Sequence, residues 1–555
     1  MITSNKWVVQ LVVDQCVEHG VTHWVFSPGS RNAPLAISAD HHPKIETIVI
    51  HDERSAAFFA LGLAEKLGRP VAICCTSGSA PTNYLPAVTE AFYRSIPLLV
   101  ISADRPEAWT DQGDGQTIRQ RNLFRDFTHR SLHLEDQKED KTTLWQYQRQ
   151  TALLFNKLHL GPAHINVGLA EPLYKTEDKK RFFHRTISVV ENFTVDPSVL
   201  NNLSRLMLQK KIMVLCGQLP ASQGLQDALE KFAHHDHVVV LTENTSNLSS
   251  SRFIPCIDRS LNCIDDAVAS EFLPDVLISI GGAIVSKRIK SFLRKAPLTA
   301  HIRVGIDFRE MDTYQQLTHS IIAQPTDFFT GLSGMTIGLE VPNYFNVWKK
   351  LDLEANRKMT AFQAPKDVLV DFNVYKSFLN RVPEHSVIHL GNSSVIRYMQ
   401  LFDPAKACIH LSNRGTSGID GCLSTAMGYA SKDDRLNVLI IGDVSFLYDV
   451  SALQLQDLSP NLKILIVNNQ GGGIFNIIDG AKDSPQCEKY FEAKHSRNGA
   501  VSASYGWKYA CIEEVELLDE AMNKLLLTTD INCLEIRTNK HQSPQVLNSF
   551  FNFIK

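Results

Sequence analysis

Two stretches in the last third of the chain put oxygen donors where apolar runs stop. NVLIIGDVSFLYD (437–449) is apolar from Val438 to Ile441 and then breaks on Gly442 and Asp443, while ILIVNNQGGGIF (464–475) ends on Asn468 and Asn469 before three glycines. Continuous apolar runs read as strands buried on both faces, and open α/β sheets bind ligands at the carboxyl ends of their strands. Magnesium takes an octahedral set of oxygens, a few from protein and the rest from phosphates and water. The Asp443 carboxylate, the Asn469 amide oxygen and a carbonyl such as that of Gly471 supply three protein oxygens, and the glycines let the backbone approach a diphosphate closely. Each stretch alone has a plainer reading, Gly442-Asp443 as a helix N-cap and NNQGGG as a turn. The two together, with Asn469 26 residues beyond Asp443, are more specific than either.

These donors need elements to hold them. Strand-like runs alternate with helical stretches from end to end: HWVFS (23–27), VAICCTS (71–77), LLVISA (98–103), IMVLCG (212–217), VVVLTE (238–243), VLISIGG (276–282), IRVGID (302–307), VIHLG (387–391), VLIIGD (438–443), ILIVNN (464–469) and CLEIR (533–537). Most are unbroken apolar runs, which implies mainly parallel sheets covered by helices, and they are too many for one sheet. A polar stretch, TEDKKRFFHRT (176–186), and a charged helical segment, VWKKLDLEANRKM (347–359), suggest the boundaries. The expectation is α/β throughout, with three doubly wound domains at 1–178, 179–343 and 344–555.

Composition limits the chemistry. The 555 residues are 44% hydrophobic and 21% charged, and 56 basic against 59 acidic residues leave a formal net charge of −3, so no global field points to nucleic acid or an anionic membrane. Small-molecule chemistry is the better expectation. MITSNKWVVQLVVDQCVEHG interleaves apolar and polar residues at helical spacing, without a basic segment leading into a long apolar run, and no run is long enough for a membrane span. The 11 cysteines form no C-x-x-C pair, and Cys74, Cys75 and Cys216 sit in apolar runs. A reduced, cytoplasmic protein without a zinc site is expected.

A strand ending in Gly-Asp, followed at this distance by Asn at the end of the next, resembles the metal and diphosphate motif of thiamine-diphosphate enzymes. No G-x-x-x-x-G-K-[ST] loop occurs, which weighs against a P-loop nucleotide site. The resemblance implies a second carboxylate near the cofactor's pyrimidine ring. TIVIHDERSAAFFALGLAEKLG (47–68) offers Glu53 at the end of a β-like run, before an alanine-rich helix. A carboxyl whose pKa is raised by apolar surroundings hydrogen-bonds the ring nitrogen and promotes the imino form that deprotonates the thiazolium. Alone, Asp52-Glu53-Arg54 reads as a solvated helix start.

Further motifs narrow the resemblance: SPGSRNAPL (27–35), HDERSAAFFALGLA (51–64), TSGSAPTNYLPAVTEA (76–91), SADRP (102–106), GQTIRQ (115–120), SKRI (286–289), GNSSVIR (391–397), SNRGTSGIDG (412–421) and GDVSFLYD (442–449). Across all three expected domains the chain resembles the 2-succinyl-5-enolpyruvyl-6-hydroxy-3-cyclohexene-1-carboxylate synthases of menaquinone biosynthesis. The resemblance implies a transferase that uses thiamine diphosphate and Mg2+ or Mn2+ to decarboxylate 2-oxoglutarate and add the succinyl carbanion equivalent to isochorismate. Both substrates carry carboxylates, which the planar fork of arginine grips bidentately.

The same resemblance assigns residues. Glu53, Ser30, Arg31, Gln116, Ser393, Arg397 and Arg414 would be catalytic. Substrate would meet Arg31, Arg105, Gln116, Lys287, Arg288, Ser393, Arg397, Arg414, Phe475 and Ile478, with Arg397 and Arg414 mainly on the 2-oxoglutarate-derived part and Arg31, Arg105 and Arg288 mainly on isochorismate. The cofactor would meet Glu53, Gly442, Asp443, Val444, Ser445, Asn469, Gly471, Gly472, Ile474 and Phe475, with Ile419 as the bulky residue supporting its bent shape. The metal would take Asp443, Asn469 and Gly471. A surface ion pair is the plain reading of any one arginine, and a core position that of Ile474.

Two positions depart from the pattern: Val444 stands where the superfamily often has Gly, and Gly115 where the family often has Asn. Glu53 and Asp443 fall in different expected domains, and thiamine enzymes typically bring two such acids together across a subunit interface, so the resemblance implies a homodimer or homotetramer with active sites between subunits. Partners are the two small substrates, with no nucleic acid. Two other readings compete, an acetolactate-synthase-like carboligase and a non-catalytic binding protein that keeps the fold.

Overall fold

In the computed structural model, residues 1–179, 183, 185–307, 310–335, 343–477, 484–493 and 498–555 are described. The apolar runs become the inner strands of three six-stranded sheets. The N-terminal part contributes β1 (Ile2–Ser4), β2 (His23–Phe26), β3 (Glu46–Val49), β4 (Val71–Cys75), β5 (Leu98–Asp104), β6 (Arg130–Glu135), β7 (Ala163–Gly168) and β8 (Thr176–Asp178). The central part adds β9 (Ile212–Cys216), β10 (Val238–Thr242), β11 (Phe253–Ile254), β12 (Val276–Ile280), β13 (Ala300–Gly305) and β14 (His319–Ile322). The last part adds β15 (Val387–Leu390), β16 (Ile409–Leu411), β17 (Asn437–Gly442), β18 (Leu462–Asn468), β19 (Tyr509–Ile512) and β20 (Cys533–Arg537).

Strand order is β3-β2-β4-β5-β7-β6 in the first sheet, β11-β10-β9-β12-β13-β14 in the second and β16-β15-β17-β18-β20-β19 in the third, while β1 and β8 form a separate antiparallel ribbon. Parallel registers such as Ile73 opposite Val100, Ile278 opposite Val214 and Leu465 opposite Leu534 run through all three. The first and third sheets have the same order, counted from their first strands. The doubly wound α/β expectation is met.

The chain forms two compact units. One comprises Met1–Glu191, Gly415–Asp434 and Tyr448–Leu462; the other Asn192–Arg414, Arg435–Leu447 and Lys463–Lys555. In the first, the helices Glu53–Leu67 and Cys422–Ala430 cross at backbone distance. A Cβ on Gly62 would lie 1.9 Å from Thr425 O, and one on Gly428 1.9 Å from Phe59 O. Glycine at both positions permits the crossing.

Some strands depart from the simple pattern. β7, AHINVG, is wholly buried but carries His164 and Asn166, whose polar atoms are met by Ser102, Ser131 and Asp104. Strand β17 ends at Gly442, so Asp443 is the first residue of the helix Asp443–Tyr448 rather than the last of the strand. Among the described residues, no helix is long and apolar enough to cross a membrane.

Candidate active site

At the carboxyl edge of the first sheet, the loops after β2 and β4 flank the point where strand order reverses, the usual ligand crevice of an open sheet. Arg31 N–H donates to Thr76 Oγ1 (3.2 Å) across this point. The Arg31 guanidinium is buried, donating to Leu169 O (2.9 Å) and Glu171 (3.4 Å); burial, then the charge of Arg105, hold its pKa below the usual value. Arg105 pairs with Asp114 (2.8 Å). Gln116 sits at φ +54°, a left-handed conformation in the same loop, and both it and Ser30 are exposed. Buried Gln120 ties the loop down: it accepts Gly78 N–H (2.9 Å) and donates to Ala103 O (3.1 Å) and Asn166 Oδ1 (3.0 Å). Arg31, Arg105 and Gln116 thus share one edge.

Glu53 opens its helix beside the N-cap Asp52, whose carboxylate accepts Ser55 N–H (3.1 Å). Its carboxyl is half-buried. Burial raises its pKa, a backbone N–H partly offsets this, and Asp52 adds to the rise. Tyr84 and Cys75, both buried, lie close enough to feel its charge.

Nearby, Glu107, His133 and Glu135 have metal-compatible atoms within 4.8 Å of one another. Their hydrogen bonds argue against a ligand set. Asn166 Oδ1 accepts from Ser102 and Gln120, so its NH2 faces His133 Nδ1 (2.9 Å), and the proton is left on Nε2, which donates to Glu135 (2.8 Å).

In the second unit, β15 and β17 flank the reversal point of the third sheet. Asp443 is buried there and accepts Gly471 N–H (2.8 Å). Burial pushes its pKa up to about 6, against the N–H groups of Val444 and Gly471, which favour the charged form. Asn469 donates from Nδ2 to Asp371 (3.2 Å) and accepts Gly473 N–H at Oδ1 (2.9 Å). Asp371, itself buried, also accepts the hydroxyls of Thr538 (2.5 Å) and Ser543 (3.1 Å), so it fixes which way the Asn469 amide points. Gly471 takes φ +112°, and a Cβ there would fall 1.7 Å from Ala493 O. A carboxylate, an amide oxygen and a glycine carbonyl make a hard-oxygen donor set suited to Mg2+ or Mn2+.

A cavity of ≈ 180 Å³ in the same unit is walled by Asp258, Lys287, Arg288, Arg397 and Ile474, with Val285, Leu401 and Phe551 among its apolar lining. The helix Ser394–Met399, which carries Arg397, follows Ser393, whose φ of +73° marks a strained turn after β15, and Arg397 Nη1 donates to Ser393 O (2.5 Å). Lys287 and Arg288 open the helix Lys287–Arg294, capped by Ser286. The turn before it is gripped by Glu243, buried, which accepts the N–H groups of Val285 (2.8 Å) and Ser286 (2.8 Å); burial pushes its pKa up to about 7. Arg414 and Phe475 do not line the cavity: Arg414 donates to Asn392 (2.8 Å), and Phe475 stacks on Phe491 (ring centres 5.5 Å apart). Ile478 lies outside the described residues.

The loop carrying Ile419 belongs to the first unit, where Glu90 accepts Gly415 N–H (2.8 Å), Thr416 N–H (2.6 Å) and the Thr416 hydroxyl (2.8 Å). Glu90, Gln120, Glu243, Asp258 and Asp371 escaped the sequence reading. Asp371 carries a usable signal, a carboxylate directly after the apolar VLV of 368–370, and so does Glu243 at the tip of VVVLTE.

Residues 6–123 match the family model of the thiamine pyrophosphate enzyme N-terminal TPP binding domain. With three doubly wound sheets and carboxylates at strand ends, this defines a thiamine-diphosphate-dependent enzyme. The chain is 38% identical over 558 residues to the 2-succinyl-5-enolpyruvyl-6-hydroxy-3-cyclohexene-1-carboxylate synthase of Flavobacterium johnsoniae, covering 99% of each chain. Proteins of the same name from Bacteroides thetaiotaomicron (35%, all of both chains) and Porphyromonas gingivalis (34%, 99% of this chain and 98% of the relative) are similar over the same span. The chain belongs to the 2-succinyl-5-enolpyruvyl-6-hydroxy-3-cyclohexene-1-carboxylate synthase family.

Proposed function

We propose that the chain decarboxylates 2-oxoglutarate and adds the succinyl fragment to isochorismate, as a transferase of menaquinone biosynthesis built from domains 1–178, 179–343 and 344–555. The observation that supports this most is the cavity where Lys287, Arg288 and Arg397 meet apolar walls and Ile474, a setting for carboxylate-bearing carbon skeletons.

Thiamine diphosphate, when bound, supplies the electron sink for the pair left behind by carbon dioxide. Asp443, Asn469 and the Gly471 carbonyl would hold Mg2+ or Mn2+ and, through it, the diphosphate, with Gly442, Val444, Ser445 and Gly472 lining the approach. Glu53, whose pKa is raised first by burial, would hydrogen-bond the pyrimidine nitrogen. Ile419 and Phe475 flank the cofactor. Arg397, Arg414 and Ser393 grip the carboxylates of 2-oxoglutarate, while Arg31, Arg105, Arg288, Lys287, Gln116 and Ser30 hold isochorismate in register. The protein works in the cytoplasm as a homodimer or homotetramer, and sedimentation of the cofactor-loaded protein as an active monomer at micromolar concentration would refute that assembly.

Product mass spectrometry tests the reaction. Purified protein with thiamine diphosphate, Mg2+, 2-oxoglutarate and isochorismate should release carbon dioxide and yield the succinyl adduct; no carbon dioxide from 2-oxoglutarate sinks the proposal.

A further inference from the structure

A cavity with three cations in its wall attracts anions in order of their charge, so it would favour tricarboxylates and phosphate esters over the dicarboxylates that the proposed reaction needs. Among the described residues of that wall Asp258 is the one carboxylate. Its orientation is fixed by Ser286, whose hydroxyl donates to it while accepting Ile289 N–H (3.0 Å). The carboxylate is therefore tied to the helix that carries Lys287 and Arg288.

The two arginines are held by other groups. Arg288 donates to Asn262 (2.7 Å) and lies 4.5 Å from the Phe551 ring centre, and Arg397 donates to Ser393 O. Among the described residues neither guanidinium closes an ion pair with Asp258, yet both lie within its field. A structural ion pair would consume the arginines' donors. A carboxylate acting at a distance leaves those donors for a ligand and still changes the charge the ligand meets.

We propose that Asp258 sets the charge selectivity of this cavity, fitting it to dicarboxylates and turning away ligands that carry a third negative charge. The proposal rests on the reading of the cavity as the substrate site. Across a few ångströms of partly buried space, one charge on each side is worth on the order of tenfold in affinity.

The test is calorimetric binding of glutarate and propane-1,2,3-tricarboxylate to the full chain loaded with thiamine diphosphate and Mg2+. Asp258→Asn, which still accepts from Ser286, should shift the tricarboxylate-to-glutarate affinity ratio toward the tricarboxylate by about tenfold. Asp258→Glu and Ser286→Ala, which keep the charge, should leave the ratio within about twofold of the wild type, because the field term is unchanged. An unchanged ratio in folded Asp258→Asn overturns the proposal. Should that variant not fold, Asp258→Ser is read the same way, and failure of both to fold makes Asp258 a stability element and equally overturns it. Arg397→Met separates the two levels: if glutarate binds it as tightly as the wild type, the substrate-site reading falls. If glutarate binding weakens there while the Asp258→Asn ratio stays fixed, only the selectivity proposal falls.

Discussion

The first and third sheets share one strand order, and each presents a carboxylate at its carboxyl edge, yet the two acids are kept under different conditions. Glu53 follows the second strand of its sheet, half-buried, beside another acid and with no cation among the groups that shift it. Asp443 follows the third strand of its sheet, fully enclosed and fed by the N–H groups of Gly471 and Val444. At Asp443 burial outweighs these donors and lifts the pKa to about 6, while the donors fix where the carboxylate points; at Glu53 burial and the neighbouring Asp52 raise the pKa against a single backbone N–H. The same topology thus presents one half-buried acid beside a second acid and one enclosed acid among backbone donors, which under the proposed function are the proton-exchanging and the ligand-holding acid, and the difference lies in the loops.

Four substitutions test that contrast. The largest effect is expected from Glu53→Gln, which should lower kcat by about 10³-fold while the cofactor's Kd stays within about threefold, measured by steady-state kinetics and fluorescence titration. Lost affinity with normal turnover of the bound fraction would make both acids cofactor anchors and erase the contrast. Asp443→Ala should weaken Mg2+-dependent cofactor binding by about 100-fold, and a chelator should do the same to the wild type but add nothing to the variant. Asp371→Asn, which frees the Asn469 amide to turn over, should weaken the same binding by about tenfold. If it leaves metal affinity unchanged, the orientation of Asn469 does not matter. The smallest effect on the chemistry belongs to Gly62→Ala, which leaves both acids alone but drives a methyl into Thr425 O; its cost falls on stability instead, about 1–3 kcal/mol read as a lower melting temperature of cofactor-free protein.

How much was legible follows from what each residue does. Inner strands such as β4, β9 and β17 show as unbroken apolar runs because both their faces are covered. β7 was invisible because His164 and Asn166 break its run, and they are tolerated only through hydrogen bonds to residues distant in sequence. Arg397, Lys287 and Arg288 were legible from motif resemblance, and the cavity gathers them. Asp258 was not, since nothing in CIDRS separates it from an ordinary helix start. The tasks of Glu243 and Glu90 were hidden for a different reason: each carboxylate serves the backbone of a loop far along the chain, and backbone donors leave no mark on composition.

The crossing of Glu53–Leu67 with Cys422–Ala430 bears on how this chain can be cut. The helix that begins with Glu53 is completed by a segment more than three hundred residues later, glycine against peptide, with no side chain to act as a buffer. A fragment ending near residue 178 keeps every strand of the first sheet but leaves the face around Phe59 and Gly62 without its cover. Limited proteolysis between the parts should accordingly yield nicked protein that stays associated, and separate expression of the N-terminal third a product that aggregates until residues 415–434 are restored.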